Sequence, residues 1–174
     1  AQLNLLRSDI EIVAMRGNID TRISKLKNKE LDAIVLSLAG IQMLNLDKEV
    51  KEVFSIEQML PAIGQGAIAL QCKKDDQKTL EILEKINDKE TYYCIQAERA
   101  LLEAIGGDCD TAIGGLAKLE YEKIILKSEL FSDDGKKKFE AQGSGDFKEA
   151  KKIGYKVGYE LLKKAGSDFT TQGS

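Results

Sequence analysis

Apolar positions follow two different textures along the 174 residues. Residues 10–15 (IEIVAM) form a β-branched run that predicts a strand, running into an Arg16-Gly17-Asn18 turn. Asp20 and Thr21 are placed to cap a helix over 21–29, with Ile23 and Leu26 on its core face and Lys25, Lys27 and Lys29 toward water. Residues 32–38 (DAIVLSL) are a near-continuous apolar run, the pattern of a strand buried on both faces of a parallel sheet. Ala39-Gly40 turns the chain, and 41–54 continue in helical period. Strand, helix, strand, helix in this order predicts an α/β first half.

The sole proline marks a change. Residues 60–67 are punctuated by Pro61, Gly64 and Gly66, and a strand is expected over 67–73 (AIALQCK). Helices follow over 76–86 and 89–104, the second capped by Asn87-Asp88, with Tyr92, Ile95, Ala100 and Leu101 among its apolar positions. From Ala112 the period falls to about two. Three antiparallel strands are expected over 113–121, 123–132 and 136–144, with turns at Glu122-Lys123 and at Asp133-Asp134-Gly135. A closing helix over 147–164 carries Ala150, Ile153, Val157, Leu161 and Leu162 on one face. This second half is a small α+β unit. The opening AQLNLLRSD reads as the last turns of a helix with no initiator Met, so a piece of a longer chain is expected.

Composition narrows the function. A formal charge of −3 and a pI near 5.2 do not suit a general nucleic-acid backbone binder. No apolar run reaches the ~18 residues of a membrane span, and no basic-then-apolar leader opens the chain, so neither a transmembrane helix nor a signal peptide is expected. Cys72, Cys94 and Cys109 are odd in number and widely spaced, which argues against a disulfide scaffold and for a reducing, cytoplasmic setting. With no histidine, His-based triads and His zinc sites are excluded. No metal site is expected. Of 26 basic residues only Arg7, Arg16, Arg22 and Arg99 are arginine. Two of the four lie within seven residues of each other, and arginine offers a bidentate fork that lysine does not.

Three places can carry chemistry. A strand end delivering a turn into a helix N-terminus is where α/β folds bind anions, and Arg16 and Arg22 flank such a turn with Gly17 giving close backbone approach. The same residues also suit a capped helix with two solvent-facing arginines. Gly64-Gln65-Gly66 puts an amide on a tight backbone, as a site or merely as a turn. Cys109 lies on a Gly-Gly loop between two carboxylates, which suits either an attachment point or an ordinary loop cysteine. Its acidic neighbours raise rather than lower a thiol pKa.

Five ordered blocks resemble the porphobilinogen deaminase (hydroxymethylbilane synthase) family: RGNIDTRISKL at 16–26, ELDAIVLSLAGI at 30–41, LPAIGQGAIALQC at 60–72, AERALLEAIGGDC at 97–109 and IGGLA at 113–117. The resemblance implies a transferase of tetrapyrrole biosynthesis. It condenses four porphobilinogen molecules head to tail, with loss of ammonia, into hydroxymethylbilane. It also implies a dipyrromethane cofactor tethered by a thioether to Cys109, with Arg16 and Arg22 on its carboxylates and Gly17, Asn18 and Gln65 lining the cleft. The family fold implies that residues 1–59 belong to a second, periplasmic-binding-protein-like α/β domain. Residues 60–86 then return to the first such domain, and 87–174 are a cofactor-carrying α+β domain. The family's catalytic aspartate has no counterpart here, so no catalytic residue is assigned and the isolated chain is expected to be inactive. The complete enzyme is expected to be a cytoplasmic monomer with no nucleic-acid or membrane partner. Two departures stand out: Met43 falls near a place where the family commonly has an arginine, and Asp110-Thr111-Ala112 lacks the usual proline. The competing expectation is a non-catalytic periplasmic-binding-type module for a small anion.

Overall fold

The computed structural model describes residues 1–108, 110–132 and 135–169. They form two compact units, Asp9–Ser55 and a second made of Ala1–Ser8 with the chain from Ile56 onward.

In the smaller unit, α2 (Ile19–Lys27) starts two residues before the expected position. Asn18, not Asp20 or Thr21, is the cap: its extended backbone lets Oδ1 accept the Thr21 N–H at 2.9 Å. A short α3 (Leu38–Met43) is capped by the Ser37 hydroxyl. Ile23 and Ile41 are the buried residues, and Gly40 admits the Ile19 side chain, whose Cδ1 lies 2.8 Å from where a Cβ would stand. The expected helix over 41–54 is reduced to the end of α3 and a 3-10 turn at Asp47–Glu49.

Neither expected strand of this unit forms a ladder, nor does 67–73 in the other; among the described residues the three strands are β1 (Ile113–Glu120), β2 (Lys123–Phe131) and β3 (Lys138–Asp146). Among the described residues the expected α/β half therefore forms no sheet of its own. A strand is defined by a partner for its N–H and C=O groups as much as by its side chains, and these segments find none. Their apolar side chains stay in solvent: Ile12 and Val35 are 50% exposed and Ile68 89%.

The larger unit realises the α+β expectation. α1 (Gln2–Leu6) opens it, and α4 (Gln77–Ile86) is capped by Asp76. α5 (Lys89–Ala104) is capped by Asp88, and α6 (Ala150–Ala165) closes it after a 3-10 turn. The sheet is antiparallel in the order β1-β2-β3, with Ala117 opposite Leu126 and Ser128 opposite Ala141. Period-two alternation sends Ile124, Leu126, Ser128 and Leu130 to the face that α5 and α6 cover. Ser128, the polar member of that row, donates its hydroxyl proton to the Gly114 carbonyl at 2.8 Å.

The two helices touch almost backbone to backbone. A Cβ on Gly154 would stand 2.2 Å from the Ala97 carbonyl oxygen, and one on Gly158 would stand 2.5 Å from the Ala104 Cβ. Small residues on both helices permit that approach, while Leu101, Val157 and Leu161 are fully buried around it. The β1–β2 turn falls on Tyr121-Glu122, one residue earlier than expected, with both residues at left-handed φ (47° and 64°). A two-residue hairpin needs that geometry to match strand twist.

Candidate functional site

The expected anion turn is built as one local unit. Gly17 has φ +117°, a conformation that favours glycine, and a Cβ there would press on Thr21 at 3.1 Å. This lets the chain leave residues 10–15 and enter α2 in a single step. Asn18 Oδ1 then accepts from both the backbone and the hydroxyl of Thr21, at 2.9 and 2.7 Å. Arg22, one turn into α2, folds back so that its Nε donates to the Gly17 carbonyl at 2.8 Å. That bond fixes the guanidinium beside the helix N-terminus and leaves its Nη groups without a partner among the described residues. Arg16 is exposed at the other end of the turn. Neither arginine is ion-paired with a described carboxylate. Helix dipole, oriented N–H groups and two uncommitted forks make the turn suited to carboxylate groups. Met43 ends α3 with its side chain 79% exposed.

Gly64, Gln65 and Gly66 belong to the larger unit. Gly64 is left-handed (φ +74°), and Gln65 and Gly66 are exposed. Residues 60–64 run along the free edge of β1 and supply its missing partners. The Gly115 N–H donates to the Pro61 carbonyl at 2.9 Å, and Gln2 reads the Leu60 backbone with both ends of its amide at 2.9 Å. Further along the edge the Ala117 N–H donates to Glu98 Oε1 at 2.9 Å, while the Gly64 N–H donates to Glu98 Oε2 at 2.8 Å. Burial holds the Glu98 carboxyl above its ordinary pKa against the opposing pull of those two N–H groups. Burial, with Glu98 and Glu90 adding their charge, likewise pushes the Cys94 thiol up, so it is no activated nucleophile. A cleft of about 420 Å³ lies between α5 and β1, with Gly66, Glu98 and Cys94 in its lining.

Cys109 lies outside the described residues. Its neighbours are tied together: the Asp108 N–H donates to the Thr111 hydroxyl at 2.8 Å, and the Asp110 N–H to Asp108 Oδ1 at 2.9 Å. The Thr111 hydroxyl thus satisfies the Asp108 backbone N–H.

The turn over 16–22 therefore brings Gly17, Asn18 and Arg22 into mutual contact with Arg16 beside them, while Gln65 stands on a separate, glycine-flanked turn. Sequence reasoning missed Glu98. The signal was present as a lone carboxylate among Ala97, Ala100 and Leu101 on the apolar side of a helix.

Comparison with known proteins adds the wider context. The family model "Porphobilinogen deaminase, dipyromethane cofactor binding domain" matches residues 1–81, and "Porphobilinogen deaminase, C-terminal domain" matches residues 92–163. A porphobilinogen deaminase of Syntrophomonas wolfei is 35% identical over 167 residues, covering 96% of this chain and 55% of the relative. One of Syntrophobacter fumaroxidans is 40% identical over 162 residues (93% and 52%), and one of Coxiella burnetii 38% over 165 (95% and 54%). The chain spans about half the length of the curated relatives it matches. None of this favours a free-standing anion-binding module.

Proposed function

This chain belongs to the porphobilinogen deaminase family, and from that premise we propose that it works as the cofactor-bearing part of a hydroxymethylbilane synthase. The whole enzyme, on this reading, joins four porphobilinogen molecules head to tail, losing one ammonia at each condensation. The rest of the machinery, the catalytic aspartate included, belongs to the remaining length that the relatives possess. Residues 1–59 and 60–86 complete two α/β domains of periplasmic-binding type, and 87–174 form the third domain. Among the described residues the segments 10–15, 32–38 and 67–73 join no ladder, which supports that arrangement, since each reads as a strand yet carries apolar side chains in exposed positions. The complete enzyme is read as a cytoplasmic monomer.

The dipyrromethane fits the residues present. It carries acetate and propionate carboxylates, and the 16–22 turn offers two guanidinium groups without acidic partners among the described residues. When bound through a thioether to Cys109, the dipyrromethane supplies the pyrrole terminus on which the chain is built. Arg22, held by Gly17, presents a fixed fork to one carboxylate. Arg16 presents a second, solvated one. Charged hydrogen bonds of this kind contribute about 1.5–3 kcal/mol each where solvent is excluded, and less at the exposed Arg16. Gly17 and Asn18 shape the turn, and Gln65 offers the cofactor a donor and an acceptor.

The observation that carries this reading is the Arg22–Gly17 bond at the Asn18-capped start of α2, within the RGNIDTR block. The test is the intact mass of the full-length protein purified from cells. The dipyrromethane increment, abolished by Cys109→Ser, is the expected result. A folded full-length protein of unmodified mass would overturn it.

A further inference from the structure

Glu98 is a carboxylate that packing does not explain. It is 4% exposed, on the face of α5 that carries Ala97 and Leu101, and among the described residues no cation pairs with it. Each oxygen instead takes one backbone N–H from a different segment: Ala117 on β1 and Gly64 on the glycine turn. A neutral amide at this place cannot do the same, because its NH2 end would face an N–H donor.

The turn itself needs an outside anchor. No atom lies within 4 Å of where a Cβ would stand on Gly64 or Gly66, so side-chain packing does not hold these residues. Immediately upstream the chain is well fixed, by Pro61 on Gly115 and by Ile63, whose Cδ1 fills the space beside Gly115. Downstream, residues 67–73 join no ladder. The Gln65 N–H closes a local turn onto the Ala62 carbonyl at 3.3 Å, and among the described residues the Glu98–Gly64 bond is the attachment nearest to Gln65 that comes from outside residues 60–66.

We propose that Glu98 is a positioning residue. It fixes the Gly64-Gln65-Gly66 turn against β1 and α5, and it acts on the reaction through Gln65. The reaction half of this statement rests on the reading above, in which Gln65 is a cofactor-binding residue.

The test uses the full-length holoenzyme as wild type, Glu98→Gln, Gln65→Ala and the double variant. Amide hydrogen exchange is followed at 64–66 with β2 as internal reference, and kcat/KM is measured with porphobilinogen. Glu98→Gln is expected to speed exchange at Gly64 about tenfold while β2 is unchanged. Each single variant is expected to lower kcat/KM about tenfold, and the double no further, because both remove the same placement. A purely structural role would give losses that multiply in the double variant, and that overturns the proposal. Unchanged exchange at 64–66, or full activity of Gln65→Ala, overturns it equally. A wild-type enzyme that makes no hydroxymethylbilane overturns the functional reading instead, and the exchange result still decides where the turn is held. Should Glu98→Gln not fold, Glu98→Asp, which withdraws the carboxylate by one methylene, carries the same cycle.

Discussion

Gly154→Ala sets two known effects against each other at one atom. In an exposed helix the change is stabilising by about 1 kcal/mol, because alanine is the better helix former. At Gly154 the new Cβ would stand 2.2 Å from the Ala97 carbonyl oxygen, 2.8 Å from the Ala100 Cβ and 2.9 Å from the Leu101 nitrogen. Two of these three neighbours are backbone atoms of α5, so no rotamer change relieves the contact. Relief requires the helices to part by about 1 Å, and a radial gap of that size forfeits a quarter to a half of the dispersion well for atoms on both sides. The atoms concerned belong to Leu101, Val157, Leu161 and Ala97, all fully buried. Overpacking of this kind costs about 1–3 kcal/mol, more where backbone must move. Because backbone must move here, the upper end of about 3 kcal/mol applies, and net of the roughly 1 kcal/mol of propensity a loss of about 2 kcal/mol is expected. Urea unfolding followed by far-UV circular dichroism should show a lower midpoint at unchanged slope. Gly158→Ala, whose nearest neighbour is the Ala104 Cβ at 2.5 Å, should cost less, and Ala104→Gly should recover part of that loss. A Gly154→Ala protein as stable as the wild type, or more so, would refute the backbone-contact argument outright.

Three further outcomes are expected. Replacing Tyr121-Glu122 by Asn-Gly should raise the Tm by a few degrees, since both positions are left-handed and Tyr121 is fully exposed; a lower Tm would remove the hairpin argument. Glu98 titrates above the ordinary glutamate value in the folded protein, so the fold holds a proton there that the unfolded chain has released. The stability of wild type relative to Glu98→Gln should thus be greatest below pH 4.5 and fall as the pH rises through the window above it, as read from paired urea titrations. The opposite slope would contradict the assignment of burial as the dominant cause. On the proposed function, Arg16→Lys in the full-length protein should lower kcat/KM for porphobilinogen more than it lowers Tm, because charge survives but the bidentate geometry does not. Equal loss of Tm and activity would make Arg16 structural.

The α+β half was legible because its signals are local. Asp88 and Asp76 announce their helices, the 89–104 helix forms over its expected residues, and period two marks each strand. Register was less legible: the β1–β2 turn sits one residue earlier than Glu122-Lys123, because strand twist rewards left-handed φ over residue preference. In the first half the strands expected over 10–15 and 32–38 join no ladder among the described residues, because a segment's own residues set its preference but not its partners. A run such as 32–38 prefers extended backbone by itself, yet it becomes sheet only where other chain covers its edges and faces.

The site divides in the same way. The family could be read from residue order, and so could the candidacy of the 16–22 turn, whose Gly17, Asn18 and Arg22 interact within a few positions; its cap could not, since Asn18 fills the place expected of Asp20 or Thr21. Only the tertiary structure singled out Glu98, because its meaning depends on Gly64 and Ala117, 34 and 19 residues away. Only the structure showed why Gly154 and Gly158 must stay glycine. A helix's own sequence sets which face is apolar; how close that face can come to its neighbour depends on the atoms the neighbour brings.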